Sequence, residues 1–267
     1  MSQLESLPDR AVIRLTGDDR TTFLQGLITQ DMSRLAHERA IFAALLTPQG
    51  KILFDFFVVS DGDALLIDCN ADAAPALLKR LSMYKLRAKV ALAIDDGLTV
   101  FASESENRDG FADPRHDALG WRLVSAQADV AVSDAYDLRR IAAGVPEFGK
   151  DFGSDEMFLT DVNYDLLNGV NYKKGCFIGQ EVTSRMKRKG DIRRRTLIAS
   201  FDGAALSKGA AITAGASTLG EILSGTDGAA LAAVRLDRLE KARAEQTPIL
   251  CEDRELQLQI PAYLEQG

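Results

Sequence analysis

Alternating apolar and polar positions in "AVIRLTG" (residues 11–17) predict a short strand. Helical texture follows in "DDRTTFLQGLITQDMSRL" (18–35), where Asp18 is a candidate N-cap and Phe23, Leu24, Leu27 and Ile28 fall on one face suited to packing on a sheet. The apolar runs of "AIFAALLTPQGKILFDFFVVSDGDALLIDCNA" (40–71) are cut at Thr47-Pro48-Gln49-Gly50 and Asp61-Gly62-Asp63, which predicts a three-stranded β-meander. "ADAAPALLKRLSMYKLRAKVALAID" (71–95) then predicts a helix and a strand, and "GLTVFAS" and "GWRLVSA" predict more sheet. "SDAYDLRRIAAG" (133–144) reads as a helix capped by Ser133 or Asp134 and stopped at Gly144. "VPEFGKDFGSDEMFLTDVNYDLL" (145–167) has no strong period and is expected to be a long, partly ordered connection. From Arg193 onward, short strands punctuated by glycine predict a small β-barrel. Strands and helices without strict alternation give an α+β class, with an α+β region over residues 1–190, expected as two intertwined lobes, and the barrel over 191–267.

Composition narrows the function classes. With 267 residues, 46% hydrophobic and 27% charged, the chain can bury a sizeable core. A net charge of -7 argues against a surface that grips nucleic acid all round, so any polyanion site is confined. Three distant cysteines without a CxxC suit a reducing compartment. The first residues lack a secretory pattern and no run of about 18 apolar residues occurs. A cytoplasmic, soluble monomer without membrane contact is therefore expected.

Several motifs fail. "GVPEFGKD" (144–151) misses a P-loop at Asp151, where a hydroxyl should hold magnesium, and a helix precedes it instead of a strand. GxGxxG, HExxH and GxSxG are absent, the two histidines have no metal or triad spacing, and no metal site is expected.

"GVNYKKGCFIGQEVTSRMKRKG" (169–190) differs from this background. Cys69 and Cys251 lie in predicted strands, where cysteine behaves as a small buried hydrophobe. Cys176 instead lies between Gly175 and Gly179, which mark a tight turn, with "QEVTSRMK" ready to begin a helix. A thiol near a helix N-terminus beside Lys173 and Lys174 is expected to gain thiolate character, against the bland alternative of an inert cysteine. The basic run of residues 185–195 could steer a polyanion such as tRNA or a folate glutamate tail, or could be a solvated hinge.

At "KGCFIGQE" (Lys174 to Glu181) the chain resembles the YgfZ family, folate-binding proteins of iron–sulfur cluster maintenance related to the glycine cleavage T-protein, an aminomethyltransferase. Weaker agreement covers "FLQGLITQDM", "TPQGKILFDF", "RRIAAGVPEFGKD" and the barrel. The resemblance implies a T-protein-like α+β fold around a central folate channel, with tetrahydrofolate or a derivative as ligand. It also implies Asp72 at the reactive end of the folate, Arg140 near it, Cys176 as the working thiol, and Lys174, Gln180 and Glu181 shaping its loop and, with Asp72 and Arg140, binding the cofactor. The implied function is support of assembly or repair of iron–sulfur enzymes, including radical enzymes that modify tRNA. A T-protein "GYTGE" counterpart is missing, since the nearest stretch begins "GWRLV", which weighs against aminomethyl transfer. A tetrahydrofolate-dependent aminomethyltransferase with Asp72 and Cys176 as catalytic residues, and an RNA-binding module, stay open as alternatives.

Overall fold

The computed structural model describes residues 4–126, 130–189 and 192–265. The domain boundary expected between 190 and 191, like Gly190 and Asp191 of the basic run, lies outside the described residues. In chain order the first elements are β1 (Leu4–Ser6), β2 (Arg10–Thr16), α1 (Arg20–Gln25), β3 (Ala40–Leu46), β4 (Ile52–Asp61), β5 (Ala64–Asn70), α2 (Ala74–Tyr84) and β6 (Ala91–Ile94). Strands β3, β4 and β5 form the expected meander, and the first sheet runs β3-β4-β5-β2-β6, antiparallel throughout. Every residue of β3 and β5 is buried, so these strands are covered on both faces.

A second sheet, β1-β7-β9-β8, adds β7 (Thr99–Ser103), β8 (Phe111–Ala112) and β9 (Trp121–Ser125) and is followed by α3 (Ala135–Ala142). After α4 (Gln180–Lys189) come β10 (Arg194–Ser200), β11 (Ala211–Ala214), β12 (Ser217–Thr226), β13 (Ala229–Arg235), α5 (Leu236–Ala244), β14 (Ile249–Cys251), β15 (Arg254–Glu255) and β16 (Gln257–Gln259). They form one sheet, β15-β14-β11-β12-β13-β10-β16, whose two end strands are separated in sequence only by Leu256, so it curls toward a barrel. Its core around Leu197, Leu219, Ile222 and Val234 is separate from the larger core of the other two sheets.

Three expectations are corrected. The helix read over 18–35 is broken: α1 ends at Gln25, Ile28 bridges to Leu45 of β3, and a 3₁₀ turn covers Met32–Ala36. Thr29 donates its backbone N–H to the Ala44 carbonyl, and its Oγ1 accepts from the Ala44 N–H, so sheet contacts outcompete the helical ladder. Asp19, not Asp18, occupies the N-cap position. The connection over 145–167 is irregular but tightly held: Val145, Phe148, Phe152, Leu159, Val162, Tyr164 and Leu167 all belong to the main core.

Candidate functional site

The cysteine stretch forms a loop tied down on both sides. Gly175 and Gly179 have φ of 98° and 79°, left-handed values that favour glycine. A Cβ on Gly179 would lie 2.6 Å from the Thr47 carbonyl oxygen, so the loop presses its backbone onto the β3–β4 turn. Phe177 is buried in the core and Ile178 packs against it, while Cys176 is exposed. The predicted helix follows as α4, and Thr183 caps back by donating from Oγ1 to the Gly179 carbonyl at 3.0 Å. Cys69 and Cys251 are buried, as the sequence implied.

The segment Gln25–Asp31 holds the approach to this loop. The Lys174 ammonium donates to the carbonyls of Gln25 (2.5 Å) and Ile28 (2.6 Å). Thr29 Oγ1 donates to the Gly169 carbonyl at 2.6 Å, the Asn171 N–H donates to the Thr29 carbonyl at 3.0 Å, and Gln30 Nε2 donates to the Asn168 carbonyl at 2.6 Å. Two distant motifs, "FLQGLITQDM" and "KGCFIGQE", are thereby one unit. Gln180 starts α4 and the exposed Glu181 sits in its first turn, where a carboxylate complements the helix dipole.

Burial pushes the Lys174 amine down to about 8, with Asp31 opposing the shift. A base whose folded value is lowered is disfavoured in its charged form, so its contribution to stability rises as pH climbs from about 8 toward the ordinary value of 10.5. Acetylation of Lys174 followed over a pH series should rise through a midpoint near 8, below the ordinary lysine value of 10.5. A midpoint near 10.5 in the peptide map would refute this.

Asp72 lies elsewhere, exposed in the turn between β5 and α2. It borders an open cleft of about 350 Å³ with Asp9, Asn70, Asp134, Asp137 and Lys150 among its walls, and no residue of the cysteine loop lines it. Lys150 is paired with Asp9 (3.1 Å) and Asp137 (2.9 Å). Arg140 is 1% exposed and points into the protein, donating to Asp137 (2.6 Å), Asp151 (2.7 Å) and Ser224 (2.8 Å). Its guanidinium therefore ties α3 and the following loop to β12 of the barrel, and as placed it is not offered to a ligand. Of the residues inferred for folate, Asp72 borders this cleft and Arg140 reaches its wall only through Asp137, with its guanidinium buried, while Lys174, Gln180 and Glu181 do not line it.

The basic run is likewise divided. Arg195 is buried in β10 on Asp165 (2.5 Å) and the Thr160 carbonyl, and Arg194 pairs with Glu221 (2.6 Å). Arg185, Lys187 and Arg188 of α4 are exposed, Lys187 lying over the Tyr172 ring. The stretch is thus partly barrel scaffold rather than one continuous polyanion surface.

Sequence reasoning missed the strongest electrostatic feature, a buried network between the first two sheets. Asp68 of β5 takes Arg10 of β2 and Arg122 of β9, each at 2.7 Å. Arg115 pairs with Asp113 (2.8 Å) and Glu147 (3.2 Å), and the Tyr136 hydroxyl donates to Glu147. The guanidiniums of Arg115 and Arg122 lie 4.8 and 4.2 Å from the Phe57 ring centroid. Burial alone would raise Glu147, but Arg10, Arg115, Lys150 and Arg140 hold it well below the usual carboxylate range. Burial raises Asp55, which Arg10 opposes, and pushes Tyr136 up to about 12. The available signal was a charge placed in mid-strand, as in "LLIDCN" and "GWRLV".

Comparison with known proteins extends this picture. Residues 193–266 match the model of the CAF17 C-terminal β-barrel domain. Over 240 residues the chain is 30% identical to an iron–sulfur cluster assembly factor IBA57 homolog, mitochondrial, of Neurospora crassa, covering 76% of this chain and 55% of that protein. The counterpart in Coccidioides immitis is 33% identical over 233 residues, covering 72% and 55%. The chain spans a little over half the length of these curated relatives. They are named mitochondrial, which overturns the cytoplasmic expectation. Among solved structures, aminomethyltransferase T of the glycine cleavage system from Bartonella henselae superimposes with a TM-score of 0.77 at 17% identity over 99% of this chain and 87% of that one, which establishes the T-protein-like fold. The chain is thus a T-protein-like α+β fold ending in a CAF17-type barrel, similar in sequence to proteins named as iron–sulfur cluster assembly factors.

Proposed function

We propose that this protein is an accessory factor in the assembly or repair of iron–sulfur enzymes, with Cys176 as the group that acts on the cluster or its precursor. One observation carries this reading: the exposed Cys176 sits on a loop fixed by Lys174, Phe177 and Gly179, in a chain similar to proteins named iron–sulfur cluster assembly factors. An exposed thiol on a rigid mount can meet a partner's metal centre without rearrangement of the fold. The loop residues Lys174, Gln180 and Glu181 position it rather than bind a small molecule.

Folate binding and tRNA-modifying radical enzymes as clients are the finer parts of the proposal, and the family resemblance supports them. The Asp72 cleft is the place offered for a pterin. Calorimetric titration with 5-formyltetrahydrofolate should then show saturable binding that weakens in Asp72→Asn, and no binding in the wild type removes folate from the proposal.

In cells lacking their own copy of the gene, Cys176→Ser should fail to restore the activity of a [4Fe–4S] dehydratase that the wild type restores. Full restoration by the variant would exclude the thiol. Any aminomethyl transfer would show as turnover with an aminomethylated carrier, and the split between Asp72 and Cys176 weighs against it.

A further inference from the structure

We infer that residues 83–89, together with the exposed face of α1, form a docking surface for an acidic protein partner, with Cys176 at its edge. Leu86 is 90% exposed, more than any other large apolar side chain among the described residues, and Met83 beside it is 62% exposed. Leu86 also adopts φ of 42°, a left-handed conformation that a leucine occupies at a cost. A fold that keeps a strained leucine in water gains nothing from it inside the monomer.

The surroundings specify the partner's charge. Lys85, Arg87 and Lys89 flank Leu86, and none of their side chains pairs with another described residue. Asp18 and Asp19 lie at the adjoining end of α1, so in a chain of net charge -7 this surface carries a local surplus of cations beside exposed apolar groups. The complement is an acidic face carrying an apolar pocket for the leucine.

The position specifies what docking would serve. The Lys89 N–H donates to Asp19 Oδ2 at 2.7 Å and its carbonyl crowds Gly17, which fixes the 85–89 loop at the N-terminal end of α1. Lys174 binds the carbonyl of Gln25 at the C-terminal end of the same helix. A helix of six residues is about 9 Å long, and Thr21 and Thr22 between the two loops are exposed. A partner footprint of ordinary size, about 800 Å² or roughly 30 Å across, is wide enough to reach both ends of α1. A protein seated on Leu86 would therefore bring its own surface close to Cys176. This inference rests on the proposed role of Cys176.

Restoration of the [4Fe–4S] dehydratase in cells lacking their own copy tests it with Leu86→Gly, Lys85→Glu/Arg87→Glu and Cys176→Ser side by side. Leu86→Gly removes the side chain and relieves the left-handed strain, so its melting temperature should equal or exceed that of the wild type. Both loop variants should nevertheless lower restored activity on the order of tenfold, and Lys85→Arg/Arg87→Lys should recover it. If Cys176→Ser retains full activity, the proposed function fails whatever the loop does. If Cys176→Ser loses activity and the loop variants keep it, the docking surface is wrong. Co-sedimentation with phosphatidylcholine–phosphatidylglycerol vesicles that the loop variants abolish would make a lipid surface the occupant and overturn the protein partner. Light scattering that shows a dimer dissociated by Leu86→Gly would do the same in favour of a second copy of the chain.

Discussion

Replacing Asp68 by Asn is expected to lower the free energy of unfolding by about 3–5 kcal/mol, because it removes the carboxylate shared by two fully buried guanidiniums. Arg10 and Arg122 would keep their charges, since neither can deprotonate near neutral pH, and the amide cannot neutralise them. The single tryptophan, Trp121, precedes Arg122 in β9, so urea unfolding followed by its fluorescence reads the affected region directly. The double variant Asp68→Asn/Arg122→Met should recover part of the loss, since it removes one of the stranded charges. A change of less than about 1 kcal/mol in Asp68→Asn would show that water solvates the network and that these pairs count as surface bridges.

The same network sets the acid limit. Glu147 has a folded value well below its ordinary value of 4.5, so its stabilising contribution is complete above that value and is lost as pH falls through the depressed one. Glu147→Gln should therefore flatten the rise of stability between strongly acidic and mildly acidic pH. Unchanged slope in urea midpoints across that range would contradict the assignment.

What the chain reveals without coordinates depends on whether a residue's role is local. The β3–β4–β5 meander was legible because its turns, Thr47-Pro48-Gln49-Gly50 and Asp61-Gly62-Asp63, carry their own conformational preference. Helix α4 and the turn that carries Cys176 were legible because the flanking glycines announce them. The break after α1 was not, since Thr29 leaves the helix for bonds to Ala44 and Gly169 that no local pattern encodes. Nor was the order of 145–167, where residues are fixed one at a time: the Tyr164 hydroxyl donates to Asp55, and Asn163 donates to the Thr196 carbonyl at 2.8 Å. Arg10 and Asp68 are 58 positions apart, so their pairing is a property of the sheet and not of the sequence neighbourhood. Arg140 shows the limit of family likeness, which supplied a residue but not the direction of its guanidinium.

Gly179→Ala should be the most damaging single-methyl change in the cysteine loop, and comparison with Gly175→Ala isolates the reason. Both positions have left-handed φ, so each alanine incurs about 1–2 kcal/mol of backbone strain. At Gly175 nothing lies within 4 Å of the added Cβ, and the effect should stop there. At Gly179 the Cβ would meet the Thr47 carbonyl oxygen at 2.6 Å and the Leu46 Cβ at 3.1 Å, both parts of the sheet edge that cannot move alone. The loop must lift, which adds about 1–3 kcal/mol of overpacking. Lifting also draws on the Phe177 anchor and the seat of α4, so the thiol loses its fixed position. Limited proteolysis should then cut Gly179→Ala within 173–180 several times faster than the wild type, with Gly175→Ala near wild type, and dehydratase restoration should fall only in the first. Equal effects of the two alanines would mean that the contact with Thr47 does not hold the loop, and that Cys176 is displayed on a flexible tether instead of a rigid mount.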